Sequence, residues 1–171
     1  MAGRQATLCA MIETRRVSVE RNRLRFSAAH MATFLGGCEP LHGHNYDVMV
    51  DIEGELTEDS WVWDFADLKK TTKAIIDQLD HKFLLQRQST VLEIYEGKTN
   101  WKFRHGDQGY ALPKSDVIAL PIDNTTAERL AEWLATMLVA NYWERGVTSF
   151  RKVTVGIEES PGQTGWYTVT L

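Results

Sequence analysis

His42 and His44 stand two residues apart in the stretch Cys38-Glu39-Pro40-Leu41-His42-Gly43-His44-Asn45-Tyr46. In an extended chain, side chains at i and i+2 leave the same face, so the two imidazoles project side by side. His30, on the stretch before them, offers a third nitrogen. Neutral imidazoles suit zinc, and three of them leave a fourth position open for water or substrate. An open position implies catalysis rather than scaffolding. A His-x-His pair alone is more often a surface feature. The third histidine and the nearby cysteine bring the metal reading level with that one.

Three further groups could do chemistry. Cys38 lies four residues before His42, after Gly36 and Gly37. A lone cysteine is most often a small buried hydrophobe, but beside a dication or an imidazolium it becomes a thiolate able to act as base or nucleophile. Asp80-His81 joins a carboxylate to an imidazole that it could orient. Spacing alone favours a plainer account, a histidine facing the C-terminal dipole of a helix. Glu158-Glu159 closes a strand, where a carboxylate can hold a ligand offering two adjacent N–H donors. A solvated acidic turn explains that doublet equally well.

Strands and helices must hold these groups. Tyr46, Val48, Val50 and Ile52 alternate with a strand period. Val17, Val19, Leu24 and Phe26 suggest two short extended pieces joined near residues 20–22. Asp64 is a plausible helix cap, and Phe65, Leu68, Ile75, Ile76 and Leu79 share one face of a helix running to about Leu79. Thr125-Thr126-Ala127-Glu128 reads as a capping box, with Thr125 as the cap. Leu130, Leu134, Met137 and Leu138 form the buried stripe that follows, with Trp133 on its flank and Gly146 as the stop. Val153, Val155 and Ile157 alternate, Ser160-Pro161-Gly162 turns, and 166–171 is rich in strand formers. The segment 86–122 reads as an irregular insertion with short strands near 91–94, 101–103 and 117–120. The layout is α+β with antiparallel pairing.

The chain has 171 residues, 43% hydrophobic and 25% charged, enough for one domain with a real core. Nineteen basic and 23 acidic residues give a net charge of −4. With no long basic run, a general nucleic-acid binder is disfavoured. Two cysteines, Cys9 and Cys38, cannot build a disulfide framework. No apolar run approaches the roughly 20 residues that span a bilayer. These features favour a soluble, cytoplasmic protein. The mildly apolar stretch 6–12 runs at once into Glu13, Arg15 and Arg16, unlike a signal peptide. Residues 1–15 are read as a variable leader and 16–171 as a single domain.

Six segments, taken in order, resemble the 6-pyruvoyl-tetrahydropterin synthase / 6-carboxytetrahydropterin synthase family. They are Phe26-Ser27-Ala28-Ala29-His30, the Cys38 to Tyr46 stretch, Val62-Trp63-Asp64-Phe65 with Leu68-Lys69, Leu79-Asp80-His81, Thr125-Thr126-Ala127-Glu128, and Val155-x-Ile157-x-Glu159-Ser160. The resemblance implies the tunnelling fold: a four-stranded antiparallel sheet with two helices on one face, here with an enlarged insertion between the helices. It implies a homo-oligomer, trimer or hexamer, with active sites at subunit interfaces. It implies Zn²⁺ on His30, His42 and His44, and Cys38 as the catalytic general base. Asp80 and His81 would support proton transfer, Glu159 would hold the pterin's amino-pyrimidine edge, and Thr125 and Thr126 would line the pterin pocket. The implied substrate is 7,8-dihydroneopterin triphosphate.

The three-residue gap between Cys38 and His42 resembles the bacterial 6-carboxy branch. That branch loses triphosphate and acetaldehyde and feeds queuosine synthesis. The alternatives are a 6-pyruvoyl product of the tetrahydrobiopterin type, or a non-catalytic zinc- and pterin-binding homologue. Leu85 stands where many relatives carry a polar residue. The Glu158-Glu159 doublet leaves a one-residue slip open, and such a slip turns a carboxylate to the other face. Glu159 is preferred because it shares a face with Val155 and Ile157. Arg21, Arg23 and Arg25 alternate and could meet a triphosphate, though a solvated strand face is the simpler account. His105, inside the insertion, is noted for its type alone.

Overall fold

The computed structural model describes residues 13–171, without the side chains of residues 21–23. Cys9 and most of the expected leader lie outside the described residues. Strand β1 (Arg15–His30) is one continuous strand rather than two pieces. It pairs antiparallel with β4 (His42–Gly54), and a register shift between Glu20 and Arg25 absorbs the mismatch. Such a shift bends a strand without ending it, which is why the pattern read as a break. Between them, β2 (Thr33–Phe34) and β3 (Gly37–Cys38) form a small hairpin.

The remaining elements are α1 (Phe65–Ile76), β5 (Lys82–Gln86), β6 (Glu93–Glu96), β7 (Asn100–His105), β8 (Gln108–Pro113), β9 (Val117–Leu120), α2 (Ala127–Glu144), β10 (Phe150–Ser160) and β11 (Gln163–Thr170). The main sheet runs β11-β10-β4-β1-β5-β9. Its first four strands are the expected antiparallel set. The sheet does not stop at four, however. Both β5 and β9 add in parallel at the free edge of β1. Phe83, Leu84 and Leu85 are all buried, with Leu84 in the main core and its neighbours in a second one. A strand covered on both faces reads as an unbroken apolar run, without the alternation that marks a half-buried strand.

Both helices cover one face. Phe26, Tyr46, Val48, Val50, Val155 and Ile157 project from alternate strand positions into one core with Leu68, Ile75, Leu130 and Leu134. The Asp64 carboxylate caps α1 by accepting from the Asp67 N–H at 2.7 Å. Asp64→Ala is expected to cost about 1 kcal/mol, read as a lower urea midpoint with an unchanged slope. The helix ends at Ile76, three residues before the expected end, and Leu79 is buried in the turn that follows.

The start of α2 differs from the capping-box expectation. Thr126 is the cap, makes no side-chain capping bond, and no box forms. Thr125 instead turns inward and is fully buried. Met137 is 38% exposed, so the buried stripe is Leu130, Leu134 and Leu138, with Ala131 and Ala135 between them. Gly165 explains how closely α2 sits. A Cβ there would lie 2.6 Å from the Glu128 nitrogen, so only glycine lets the first turn rest on β11. Gly146, at φ 78°, ends the helix as expected.

The insertion is regular. Strands β6, β7 and β8 form an antiparallel meander, and β9 returns to the main sheet. Met31, Phe83, Leu85, Trp101, Phe103 and Val117 make a second apolar core beneath it, with Cys38 packed at its margin. Among the described residues, no helix is long and apolar enough to cross a membrane.

Candidate active site

His30 is the last residue of β1, and His42 and His44 open β4. The register sets His30 opposite His42 and Ala28 opposite His44. The side chains share the helix-facing side of the sheet with Phe26 and Tyr46. The ligand atoms of the three histidines all lie within 4.8 Å of one another. His30 Nδ1 donates to the Thr125 carbonyl at 2.9 Å, and His42 Nδ1 donates to the Pro40 carbonyl at 2.8 Å. A carbonyl only accepts, so each neutral ring carries its proton on Nδ1 and a lone pair on Nε2. Those two Nε2 atoms face each other at 3.1 Å. Two acceptors so close repel unless a cation lies between them. Tetrahedral zinc would set them roughly 3.3 Å apart, and the donor set fits such an ion. Burial pushes the His30 pKa down to about 4, and burial lowers His44 as well. His30 is therefore neutral and ready to ligate at neutral pH.

Carboxylates gather around the trio. Glu39 Oε2 lies 3.8 Å from His42 Nε2. The main chain of Glu159 hydrogen-bonds the His44 ring. Glu159 Oε1 is buried and has no hydrogen-bond partner. Burial, then the charge of Glu39, raise its pKa above the ordinary carboxylate range. Glu158 turns away across the register shift at the end of β10 and accepts from the Gly162 N–H at 2.7 Å. Tyr46 packs its ring edge-on against His30 and His44, and its fully buried hydroxyl also lacks a partner. Unpaired buried polar atoms are rare in folded chains, and two of them here lie beside the same three histidines.

Cys38 pairs with Thr33 across the β2–β3 hairpin. Burial, then Glu39, raise its thiol pKa. The chain's own groups thus favour the protonated thiol, opposite to the shift a dication would cause, and added positive charge is needed to reverse it.

Asp80 and His81 hold each other, Oδ2 to Nδ1, at 3.0 Å. Asp80 Oδ1 accepts from the Ser27 N–H at 2.8 Å, and that bond is the main cause of its lowered pKa. His81 sits at φ 57° with its side chain 83% exposed. A left-handed histidine is strained backbone, and strain of this kind gathers at functional sites. Among the described residues, no hydrogen bond or ion pair joins either residue to Cys38 or to the histidine trio.

Thr125 is close to the trio but spends its hydroxyl on Gln86 Oε1 at 3.0 Å, while Thr126 stays half-buried at the helix cap. Arg25 is paired with Asp47 at 2.8 Å, and the Arg21 and Arg23 side chains lie outside the described residues. His105 Nε2 donates to the Gly36 carbonyl at 3.0 Å, so the meander touches the loop before Cys38. Sequence reasoning passed over Glu39 and Tyr46. Glu39 precedes His42 by three residues, and Tyr46 continues the i+2 series of His42 and His44.

A family profile described as 6-pyruvoyl tetrahydropterin synthase matches residues 19–169. A protein of Methanocaldococcus jannaschii, provisionally named a 6-carboxy-5,6,7,8-tetrahydropterin synthase, is 36% identical over 145 residues. That alignment covers 84% of this chain and 89% of the relative. A dihydroneopterin monophosphate aldolase of Pyrococcus furiosus is 40% identical over 62 residues, covering 36% of this chain and 53% of that protein. Among solved structures, a 6-pyruvoyltetrahydropterin synthase of Plasmodium vivax, in a form with a catalytic glutamate replaced, superimposes with a TM-score of 0.84 at 30% identity. It covers 94% of this chain and 100% of its own.

Proposed function

The chain belongs to the 6-pyruvoyl tetrahydropterin synthase family, and on that footing we propose that it converts 7,8-dihydroneopterin triphosphate and water to 6-carboxy-5,6,7,8-tetrahydropterin, triphosphate and acetaldehyde. The observation that carries this reading is the meeting of two Nε2 lone pairs at 3.1 Å beside the half-buried Glu159, whose Oε1 is enclosed and lacks a hydrogen-bond partner. The short Cys38 to His42 gap and the 6-carboxy name of the archaeal relative favour the carboxy branch. Such a product would feed queuosine synthesis.

His30, His42 and His44 would hold Zn²⁺. A zinc ion there supplies Lewis acidity that makes C–H and O–H bonds next to the substrate's side-chain hydroxyls easier to break. Glu159 accepts hydrogen bonds from the amino group and ring N–H of the pterin. This fixes the ring and points the side chain towards the trio. Cys38 takes the proton released from the side-chain carbon. His81, oriented by Asp80, passes protons onward. Because that pair makes no bond to Cys38 within one chain, a homo-oligomer, trimer or hexamer, would bring it from a neighbouring copy. We also take residues 1–15 as a leader, 16–171 as one domain, and the cytoplasm as its place of work.

Glu159→Gln removes a charge that is costly to bury and that the substrate needs. A hydrogen bond to a charged group contributes about 1.5–3 kcal/mol. The variant is therefore expected to lose roughly 10- to 150-fold in kcat/KM, mostly through KM, while its melting temperature rises. A fall in both stability and kcat at unchanged KM would place the carboxylate elsewhere.

The reaction itself is tested by incubating zinc-loaded protein with the substrate, identifying the pterin by mass spectrometry and assaying acetaldehyde. A 6-carboxy pterin with acetaldehyde supports the reading, whereas a 6-pyruvoyl pterin without acetaldehyde overturns it in favour of simple elimination. A second reading, retro-aldol cleavage of a dihydroneopterin phosphate with Glu39 as base, is favoured by the Glu39 carboxylate lying 3.8 Å from His42. The aldolase name of the Pyrococcus furiosus relative points the same way. A 6-hydroxymethyl pterin among the products would establish it.

A further inference from the structure

One residue on the turn before α2 grips the hairpin that carries Cys38. Asn124 Oδ1 accepts from the Thr33 N–H at 2.9 Å, and Asn124 Nδ2 donates to the Thr33 carbonyl at 2.8 Å. The same Oδ1 accepts from the Thr125 N–H at 2.9 Å. These partners fix the amide's orientation: flipped, its NH₂ would face two N–H donors and its oxygen a carbonyl. Thr33 is the cross-strand partner of Cys38. Ninety-one residues along the chain, Asn124 thus clamps both backbone groups of the residue opposite the thiol. Besides this clamp, the hairpin is tied at its turn by His105 Nε2 to the Gly36 carbonyl, at its base by the Glu39 N–H to the Ala32 carbonyl at 2.9 Å, and by packing of Cys38 on the second core. The hairpin is two residues per strand, its tip carries Leu35 at φ 49° and 91% exposed, and a two-stranded ribbon of this size is marginal alone.

The next residue braces the metal ligand. The Thr125 carbonyl takes the Nδ1 proton of His30, and its hydroxyl donates to Gln86 Oε1. Gln86, fully buried, donates back to the Met31 carbonyl at 3.0 Å. Neighbouring residues therefore serve two different groups, Thr125 the histidine and Asn124 the thiol.

We propose that Asn124 is a positioning residue for Cys38, holding the thiol hairpin in register against the histidine trio through its two bonds to Thr33. The inference rests on the reading of Cys38 as the proton acceptor. Asn124→Ala frees the hairpin and takes the acceptor from the Thr125 N–H, but leaves in place the Thr125 carbonyl and hydroxyl bonds that hold His30 and Gln86. A displacement of about 1 Å at a reacting group can cost on the order of 10²-fold. The variant is expected to lose about that factor in kcat, with KM and zinc affinity within about threefold of the parent. In parallel, iodoacetamide labelling of the half-buried Cys38, followed on its own peptide by mass spectrometry to exclude Cys9, is expected to quicken several-fold. Asn124→Asp keeps the two N–H partners but sets a carboxylate oxygen against the Thr33 carbonyl. It is expected to lie between parent and alanine in both readouts, and it serves if the alanine variant folds poorly.

Labelling and kcat both within twofold of the parent would overturn the inference. So would a kcat loss that merely tracks the folded fraction at an unchanged labelling rate. Cys38→Ala keeps the two readings apart. If that variant turns over like the parent, the thiol-base reading fails, while the labelling comparison still reports whether Asn124 holds the hairpin.

Discussion

His30→Ala is expected to lower zinc affinity by at least about 10³-fold and to reduce turnover below detection at micromolar zinc. Removing a group that merely orients a ligand already costs roughly 10- to 100-fold in metal affinity, and His30 is a ligand of the proposed site with its own orienting carbonyl. Its burial makes the loss hard to repair, because His42 and His44 are fixed by β4 and the 2% exposed ring leaves a closed hole. Competition with a chromophoric chelator measures the affinity. Retained zinc in the variant would remove His30 from the ligand set. The folded state should survive, because the loss of the Thr125 bond is partly offset by relief of the lone-pair contact with His42.

Cys38→Ala is expected to keep zinc and pterin binding and to lose about 10²- to 10⁴-fold in kcat, the usual span for removing a positioned proton acceptor. The thiol is small and half-buried, so truncation to alanine leaves the second core almost intact. Stopped-flow or discontinuous product assays at saturating substrate measure the loss. A variant that binds pterin and turns over at the parent's rate would point to Glu39 as the base, or to a protein that binds without catalysing.

The site residues and the scaffold around them differ in how plainly the chain announces them. His42 and His44 show through because a strand end repeats every two residues and few other patterns place imidazoles so. Asp64 shows through because a cap, its helix and the apolar face follow in one local run. The parallel strand Lys82–Gln86 does not, since Phe83, Leu84 and Leu85 are buried on both faces and lose the alternation that would betray a strand. The helix cap falls at Thr126, one residue past the capping-box expectation, because either threonine of the doublet satisfies the local rule. Only Gln86, 39 residues away, decides that Thr125 faces inward. The same holds for Asn124 and for the pairing of Thr33 with it. Long-range partners of polar side chains leave no periodic trace. The insertion looked irregular because its strands cover a small core whose other half, Met31, Phe83 and Leu85, belongs to different parts of the chain.

That second core has a consequence for how the molecule breathes. The meander shares its apolar centre with the sheet edge rather than with the helices, so it can open as a unit of its own while the main core stays closed. Its amides are expected to exchange with solvent as a group and ahead of those in β4 and β10. Cys38 lies at the margin of this unit. Each opening bares the thiol to peroxide, on the path to sulfenic and then irreversible sulfinic acid. Substitutions that loosen the second core are therefore expected to speed oxidation of Cys38, read on its own peptide after peroxide treatment, without first changing turnover.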